Sequence, residues 1–388
     1  MILGRKLIEI RGIGFINKGA ELMLFAILEK LRIKFPSFEF AMSAATDTSR
    51  PYIKRAKYGL YQKANLMKYG IQFGKLVFIL PRKIRHNLGL VLDNDIDIVL
   101  DASGFAYGDK SGTKSCTELE SLCIKAKKNR TKVVLLPQAF GPFNDPDNKK
   151  SICTVLRNAD LIFARDGVSH SYLSDLTEHK HKIKLCGDFT NTVNGVIPND
   201  FNFEKNRFAI IPSYRMIDKT SNEISRKYLS FVSNLTEYLL QKGMKPFMLI
   251  HEGQNDLKLA KAIAKEFSSE IEIIAENNPL KIKGILGSVD AVYSCRFHGL
   301  VSALSQGTVA IGSGWSHKYK CLFNDYDFPD GLLDVTMKKG VLFQKMENIF
   351  NEENIFLIKS KILKNSLRLK SDTEKMWEDV FEVIQSCD

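Results

Sequence analysis

No apolar run in this chain of 388 residues approaches the roughly 20 that a bilayer-spanning helix needs. The seven cysteines show no C-x-x-C spacing and sit mostly in apolar contexts (Cys153, Cys186, Cys295). That argues against a zinc site and for reduced, buried thiols. G-x-G-x-x-G, H-E-x-x-H and G-x-S-x-G are all missing, and no cysteine stands beside a plausible base. His251-Glu252 has no second His one helical turn on, and His179-Lys180-His181 sits in a polar loop with too few neighbouring ligands. Acidic side chains are in deficit, 44 against 56 Lys and Arg, a net charge of +12. Such a balance suits acidic partners: nucleic acid, an anionic membrane or phosphorylated metabolites. No helix-turn-helix, zinc-finger or single-strand-binding signature accompanies it, so nucleic acid is not expected. The amino terminus (Met1-Ile2-Leu3-Gly4-Arg5-Lys6) runs straight into a strand without a cleavable signal pattern, and the expected location is the cytoplasm.

What is present is a succession of short, non-alternating apolar runs, each followed by a helix. These include Leu7-Ile8-Glu9-Ile10, Ile98-Val99-Leu100, Val133-Val134-Leu135-Leu136, Leu161-Ile162-Phe163, Phe208-Ala209-Ile210-Ile211, Phe247-Met248-Leu249-Ile250, Val292-Tyr293 and Val309-Ala310-Ile311. That pattern marks parallel sheets covered on both faces. The length exceeds one ordinary core. A polar, Asn-rich segment from Asn194 to Asn206 separates two runs of strand and helix. The expected organisation is a Rossmann-like domain over 1–195, a second over 196–350 and a helical segment over 351–388. Two doubly wound domains facing across a cleft form the glycosyltransferase-B-like arrangement.

Chemistry gathers at the strand ends, where open α/β sheets bind ligands. Arg296 and His298 follow the run ending at Ser294-Cys295, with Gly299 at the opening of a helix. Arg supplies a fork for phosphate or carboxylate, His a group that exchanges protons near neutral pH, and Gly close backbone approach. A rim Arg and a His satisfied by a carbonyl is the plainer alternative. Comparable ends carry Asp101 and Gly104, Gln138 between Pro137 and Gly141, Arg165-Asp166, Ser213, His251-Glu252 and Ser316-His317-Lys318. Asp166 either orients Arg165 or pairs with it structurally. The turn Arg11 to Glu21 reads equally as an anion cradle and as a simple tight turn.

These pieces, taken in order, resemble the polysaccharide pyruvyl transferase family over nearly the whole chain. They are Asn17-Lys18-Gly19-Ala20-Glu21, Asp101-Ala102-Ser103-Gly104, Pro137-Gln138-Ala139-Phe140-Gly141-Pro142-Phe143, Ala164-Arg165-Asp166, Cys186-Gly187-Asp188, His251-Glu252, Arg296-Phe297-His298-Gly299 and Ser316-His317-Lys318. The resemblance implies transfer of a pyruvyl group from phosphoenolpyruvate to two hydroxyls of a sugar, free or lipid-linked, giving a ketal on a surface-polysaccharide precursor. It implies a glycosyltransferase-B-like fold, phosphoenolpyruvate as donor substrate, and no metal or other cofactor. By match of motif, Arg165, Arg296 and Lys318 would hold the donor, and His298 would do the acid–base work. Asn17, Lys18, Gly19, Asp101, Gly104, Gln138, Ser213, His251, Glu252 and Gly299 would contact substrates. Many members have Asn-x-Gly-Asp after the first strand; here the acid is displaced to Glu21.

Arg165, Arg296, His298 and Lys318 are expected around one pocket. The rival readings are a glycosyltransferase using a nucleotide sugar and a scaffold without chemistry. The segment from Tyr52 to Arg85 interleaves Tyr52, Tyr58, Tyr61 and Tyr69 with Lys54, Arg55, Lys57, Lys63 and Lys68. It is the expected place for peripheral contact with an anionic membrane, with partial burial of its rings.

Overall fold

The computed structural model describes residues 6–43, 51–64, 67–68, 71–72, 77–268 and 270–386. Met1–Arg5, Tyr69 and the side chain of Lys68, all read above, lie outside the described residues. The chain divides into two compact units, Met1–Ile16 with Met23–Phe189 and Asp372–Asp388, and Asn17–Leu22 with Thr190–Ser371.

The first unit is built on β1 (Leu7–Arg11), α1 (Lys18–Lys34), β2 (Glu39–Ser43), α2 (Tyr52–Lys57), β3 (Leu60–Lys63), the short pair β4 (Met67–Lys68) and β5 (Ile71–Gln72), α3 (Arg82–Asn87) and β6 (Leu90–Val91). It continues through β7 (Ile98–Asp101), α4 (Thr113–Asn129), β8 (Lys132–Gln138), α5 (Pro146–Asn158), β9 (Leu161–Ala164), α6 (Gly167–Ser174) and β10 (Ile183–Leu185). Eight strands form one sheet in the order β10-β9-β8-β7-β1-β2-β3-β6, with every pairing parallel. Helices on both faces explain why β7 and β9 are buried at every position. Asp145 caps α5 by accepting from the backbone N–H of Asp147 and Asn148, with Pro146 opening the helix.

In the second unit come β11 (Phe208–Ile211), α7 (Arg215–Asp218), α8 (Asn222–Gln241), β12 (Pro246–Leu249), α9 (Gly253–Ala264), β13 (Ile273–Ile274), α10 (Pro279–Ser288), β14 (Ala291–Ser294), α11 (Phe297–Leu304), β15 (Val309–Gly312), α12 (His317–Asp325), α13 (Lys339–Phe350) and α14 (Glu352–Gln385). Its sheet is parallel, ordered β13-β12-β11-β14-β15. Helix α8 buries Tyr228, Phe231, Val232, Leu235, Tyr238 and Leu239, spaced to give one apolar face. Burying one such side chain fully is worth about 1.5–3 kcal/mol. Helix α14 gives Ile362, Ser366 and Leu369 to this unit and Thr373, Met376, Trp377 and Val380 to the first. Each unit is therefore α/β with a parallel sheet, and a long helix ends the chain. Among the described residues no helix is long and apolar enough to cross a membrane, and no disulfide forms.

The basic segment after Tyr52 spends much of its charge internally. Arg55 donates to Gln62 at 2.8 Å, Lys63 lies 2.7 Å from both Glu9 and Asp93, and Arg85 is 2.9 Å from Asp95. Tyr58 stacks on Phe15 at 5.6 Å, whereas Tyr52 is exposed.

The turn after β1 depends on Gly12. Its φ is +75°, and a Cβ there would stand 2.3 Å from Ser103 Cα. Gly12→Ala combines left-handed strain with a backbone clash and is expected to destabilise the protein by about 2–4 kcal/mol. The urea midpoint should fall with little change in slope; an unmoved midpoint would mean the turn is not held as described.

Candidate functional site

Strands β12, β14 and β15 run into α9, α11 and α12, whose preceding residues Glu252, Arg296 and Ser316 make no side-chain cap. By contrast α8, which does not open from one of these strand ends, is capped by Ser221. The positive ends of three helix dipoles thus gather along the C-terminal edge of the second unit's sheet, as suits an anion.

Arg296 is fixed first. Its Nη1 donates to Glu252, and its Nη2 lies 2.6 Å from Asp256 Oδ2. Glu252 and Asp256 are four residues apart, so both carboxylates face the same way at the opening of α9. Asp256 also accepts from the backbone N–H of Tyr214 at 2.9 Å, tying in the segment after β11. Burial pushes the Asp256 carboxyl up from its ordinary range, against the lowering influence of Arg296 and that N–H. Arg296 Nε is buried and makes no hydrogen bond. The turn itself is closed by Ser294, whose Oγ accepts from Arg296 N at 3.0 Å and donates to Arg296 O at 3.1 Å. Gly299 is buried, and a Cβ there would meet Ser294 Oγ at 2.6 Å and Ile211 Cδ1 at 3.1 Å. Its smallness lets α11 pack on the sheet.

His298, in the first turn of α11, meets residues 17–22 of the same unit. A Cβ on Gly19 would fall 2.1 Å from His298 Nδ1, so only a bare backbone fits against the imidazole. Asn17 Oδ1 accepts from Gly19 N at 2.9 Å and Ala20 N at 3.3 Å, capping α1. The displaced acid Glu21 is buried, 3.2 Å from Lys18 Nζ. His298 also meets the Phe297 ring nearly at right angles, centroids 5.7 Å apart. Phe297 meets Tyr319 at 5.8 Å, and Tyr319 meets Trp315 at 5.5 Å. Lys318 Nζ stands over all three aromatic rings, 5.1 Å from Phe297, 5.5 Å from Tyr319 and 5.9 Å from Trp315. Tyr319 donates to Cys295 O at 3.0 Å, which locks α12 to the turn before α11. Ser316 Oγ is buried there and makes no hydrogen bond.

His251 is buried at the end of β12. Burial first, then the charges of Arg296, His298 and Lys18, holds it well below the ordinary imidazole value. It is therefore a neutral ring beneath a cationic cluster, and its Nδ1 makes no hydrogen bond. Ser213 is buried, with its N–H donating to Tyr228 at 2.9 Å and its Oγ accepting from Arg215 N at 3.3 Å.

The first unit holds the remaining residues. Asp101, fully buried at the end of β7, accepts from Tyr107 at 2.8 Å, Ser103 N at 3.1 Å and Gln138 Nε2 at 3.2 Å, with Arg11 Nε at 3.8 Å. Burial and then Asp101 hold the Tyr107 hydroxyl well above its ordinary value. Gln138 Oε1 is buried and makes no hydrogen bond. Gly104 has φ +72°, and its carbonyl accepts from Ala139 N at 2.9 Å. Arg165 Nη1 is 3.3 Å from Asp188, and Asp166 caps α6 by accepting from Ser169 N at 2.8 Å. Of the expected residues, the second unit thus brings together Lys18, Gly19, His251, Glu252, Arg296 and His298, with Lys318 reached through Phe297. Asp101, Gly104, Gln138 and Arg165 belong to the first unit. Asp256 and Tyr107 were not singled out from the sequence, and Asp188 was read only as part of a motif and not as the partner of Arg165. Asp256 carries the clearest signal of the three, one helical turn beyond Glu252. Among the described residues no His, Cys, Asp and Glu form a group of three able to hold a metal ion.

The neutral state of His251 has a measurable consequence. In the unfolded chain it would take a proton below about pH 6.5, whereas the folded protein resists doing so. Its contribution to stability is full above that value and is lost as pH falls toward the depressed folded value. Melting curves between pH 8 and 5 should therefore decline less steeply for His251→Gln than for the wild type. Parallel curves would contradict a buried neutral imidazole.

Residues 17–317 match the model of the family described as polysaccharide pyruvyl transferase. No curated protein matches the sequence significantly. Among solved structures, a putative UDP-N-acetylglucosamine 2-epimerase from Listeria monocytogenes is similar at TM-score 0.62 and 11% identity, covering 99% of this chain and 98% of its own. The UDP-GlcNAc 2-epimerase of Neisseria meningitidis, bound to UDP-GlcNAc, is similar at 0.60 and 11%, covering 97% and 100%. Anabaena HepE, in complex with UDP and glucose, is similar at 0.56 and 10%, covering 98% and 100%. At these identities the likeness establishes the glycosyltransferase-B-like fold alone.

Proposed function

The chain belongs to the polysaccharide pyruvyl transferase family, a family of transferases, and we propose that it moves a pyruvyl group from phosphoenolpyruvate onto two hydroxyls of one sugar. The observation that carries this reading is the meeting of His298, Lys318 and uncapped helix N-termini at one sheet edge, inside the matched span apart from Lys318 one residue beyond it. Phosphoenolpyruvate carries a phosphate and a carboxylate on three carbons, so it needs cations and N–H donors close together. In the reaction the vinyl carbon gains a proton, and the central carbon forms two bonds to sugar oxygens. Its bond to the phosphate oxygen breaks. Of the two hydroxyl protons, one balances the new methyl group and the other leaves with phosphate. His298 is the group assigned to proton transfer, a role worth about 10²–10⁴-fold. Lys318 is assigned to the donor's anionic groups, its ammonium lying over the rings of Phe297, Tyr319 and Trp315. Arg296, already bonded to Glu252 and Asp256, is assigned to shaping the edge and to contributing its positive charge there. The setting proposed for this reaction is the cytoplasm, on a precursor of a surface polysaccharide.

The second reading, a transferase using a nucleotide sugar, draws on the UDP-GlcNAc found in the Neisseria structure. Thermal melts separate the two, since a ligand of the folded state raises the melting temperature by mass action. Phosphoenolpyruvate should raise it by a few degrees at about a hundredfold excess over Kd, and UDP-GlcNAc should not. The opposite result would favour the nucleotide sugar.

Variants then divide binding from chemistry. Lys318→Met keeps the stem and should weaken donor affinity about tenfold or more. His298→Asn should leave affinity within a small factor while nearly abolishing turnover. Gly19→Ala should displace the His298 ring and lower turnover without loss of donor binding. Near-normal turnover in His298→Asn would make that histidine structural. Arg296→Ala is a poor probe, because it leaves two carboxylates unpaired in a buried place and should cost about 3–5 kcal/mol of stability.

A further inference from the structure

From Asn354 to Ser371 the chain has no acidic residue, yet carries Lys359, Lys361, Lys364, Arg368 and Lys370. This stretch is the second-unit part of α14 without its first two residues, Glu352 and Glu353. Its inward face is anchored: Ile362 and Leu369 lie in that unit's core, and Ser366 Oγ donates to Ser305 O at 2.7 Å. The outward face is not what a solvated surface usually shows. Phe356 is 74% exposed, Leu357 52%, Leu363 53% and Leu367 63%.

Helical geometry orders these groups. Phe356, Leu363 and Leu367 are about two and three turns apart and form one line along the helix. Lys359 and Lys364, both exposed, fall about 60–80° to either side of that line. Farther round, Lys361 lies 3.2 Å from Asp327, and Arg368 donates to Asp325 O at 2.9 Å. An apolar ridge between rows of cations is the composition of a helix that lies in a lipid headgroup layer.

We propose that this face of α14 docks the protein on an anionic lipid surface, with Phe356, Leu363 and Leu367 entering the acyl boundary and Lys359 and Lys364 meeting the headgroups. Charge complementarity selects that occupant over an apolar protein partner, and the exposed Phe and Leu select it over nucleic acid. The segment from Tyr52 to Arg85 is the weaker candidate, because Arg55, Lys63 and Arg85 are already matched inside the first unit. The proposal concerns where the protein works and not which donor it takes, so it stands or falls separately from the function assigned above.

The test is flotation of the full chain with vesicles of phosphatidylcholine alone and of phosphatidylcholine with phosphatidylglycerol at roughly three to one. The wild type should bind the anionic vesicles at low salt at least about tenfold more tightly than the neutral ones, and release as salt rises. Lys359→Glu with Lys364→Glu should weaken anionic-vesicle binding about tenfold or more. Phe356→Ser with Leu367→Ser should weaken it comparably and leave the preference for anionic lipid in place. Unchanged circular dichroism and melting temperature would show that both variants fold. The proposal is overturned by absent binding at low salt, by equal binding to both vesicles, or by variants that bind like the wild type. It is equally overturned if the serine pair changes the oligomeric mass and not vesicle binding, or if the glutamate pair abolishes binding to DNA alone.

Discussion

The Arg296 guanidinium is shielded from water at the edge of the second unit's sheet, and much around it follows from keeping that charge satisfied. Desolvating such a group costs several kcal/mol unless carboxylates face it at good geometry. Glu252 and Asp256 do so from one turn of α9, and Asp256 in turn holds the backbone after β11. One charge therefore fixes the segments after three neighbouring strands, β12, β11 and β14. The same burial depresses His251, which would otherwise add a further positive charge beside Arg296 and Lys18.

A second constraint is steric. The imidazole of His298 lies against the Gly19 backbone and meets the Phe297 ring, and Phe297 leads through Tyr319 to Trp315. Lys318 stands over those same rings. The proton-transfer candidate and the Lys318 ammonium thus both lie against one aromatic row, itself tied to Cys295 O by the Tyr319 hydroxyl. Rigid placement of this kind is what distinguishes a reacting site from a basic patch.

Much of this was legible in the sequence, because buried parallel strands leave short apolar runs that alternating strands do not. The runs at 98–101, 161–164, 208–211 and 291–294 are strands at nearly the expected positions. The family could be read for a related reason, since its motifs sit at strand ends whose order the fold fixes. Edge strands escaped: β3 and β6 are short and carry polar residues such as Gln62 and Lys63, which look like loop. The charge partners escaped as well. Arg296 reads as an open fork in isolation, and nothing local reveals that a helix 40 residues earlier supplies Asp256. Asp166, which by sequence either orients Arg165 or pairs with it, also caps α6 with its carboxylate, and Asp188 reaches Arg165 from beyond β10. In each case a long-range contact decided the outcome, and apolar periodicity carries no trace of it.

The central claim is a transfer that consumes phosphoenolpyruvate and makes a ketal. The most direct measurement is proton and phosphorus NMR of the protein incubated with phosphoenolpyruvate and a panel of hexosides bearing two free neighbouring hydroxyls. The account predicts inorganic phosphate released only when an acceptor is present, matched one for one by a new methyl singlet. Phosphate released equally without acceptor, or a nucleoside diphosphate released when a nucleotide sugar replaces the donor, would contradict it.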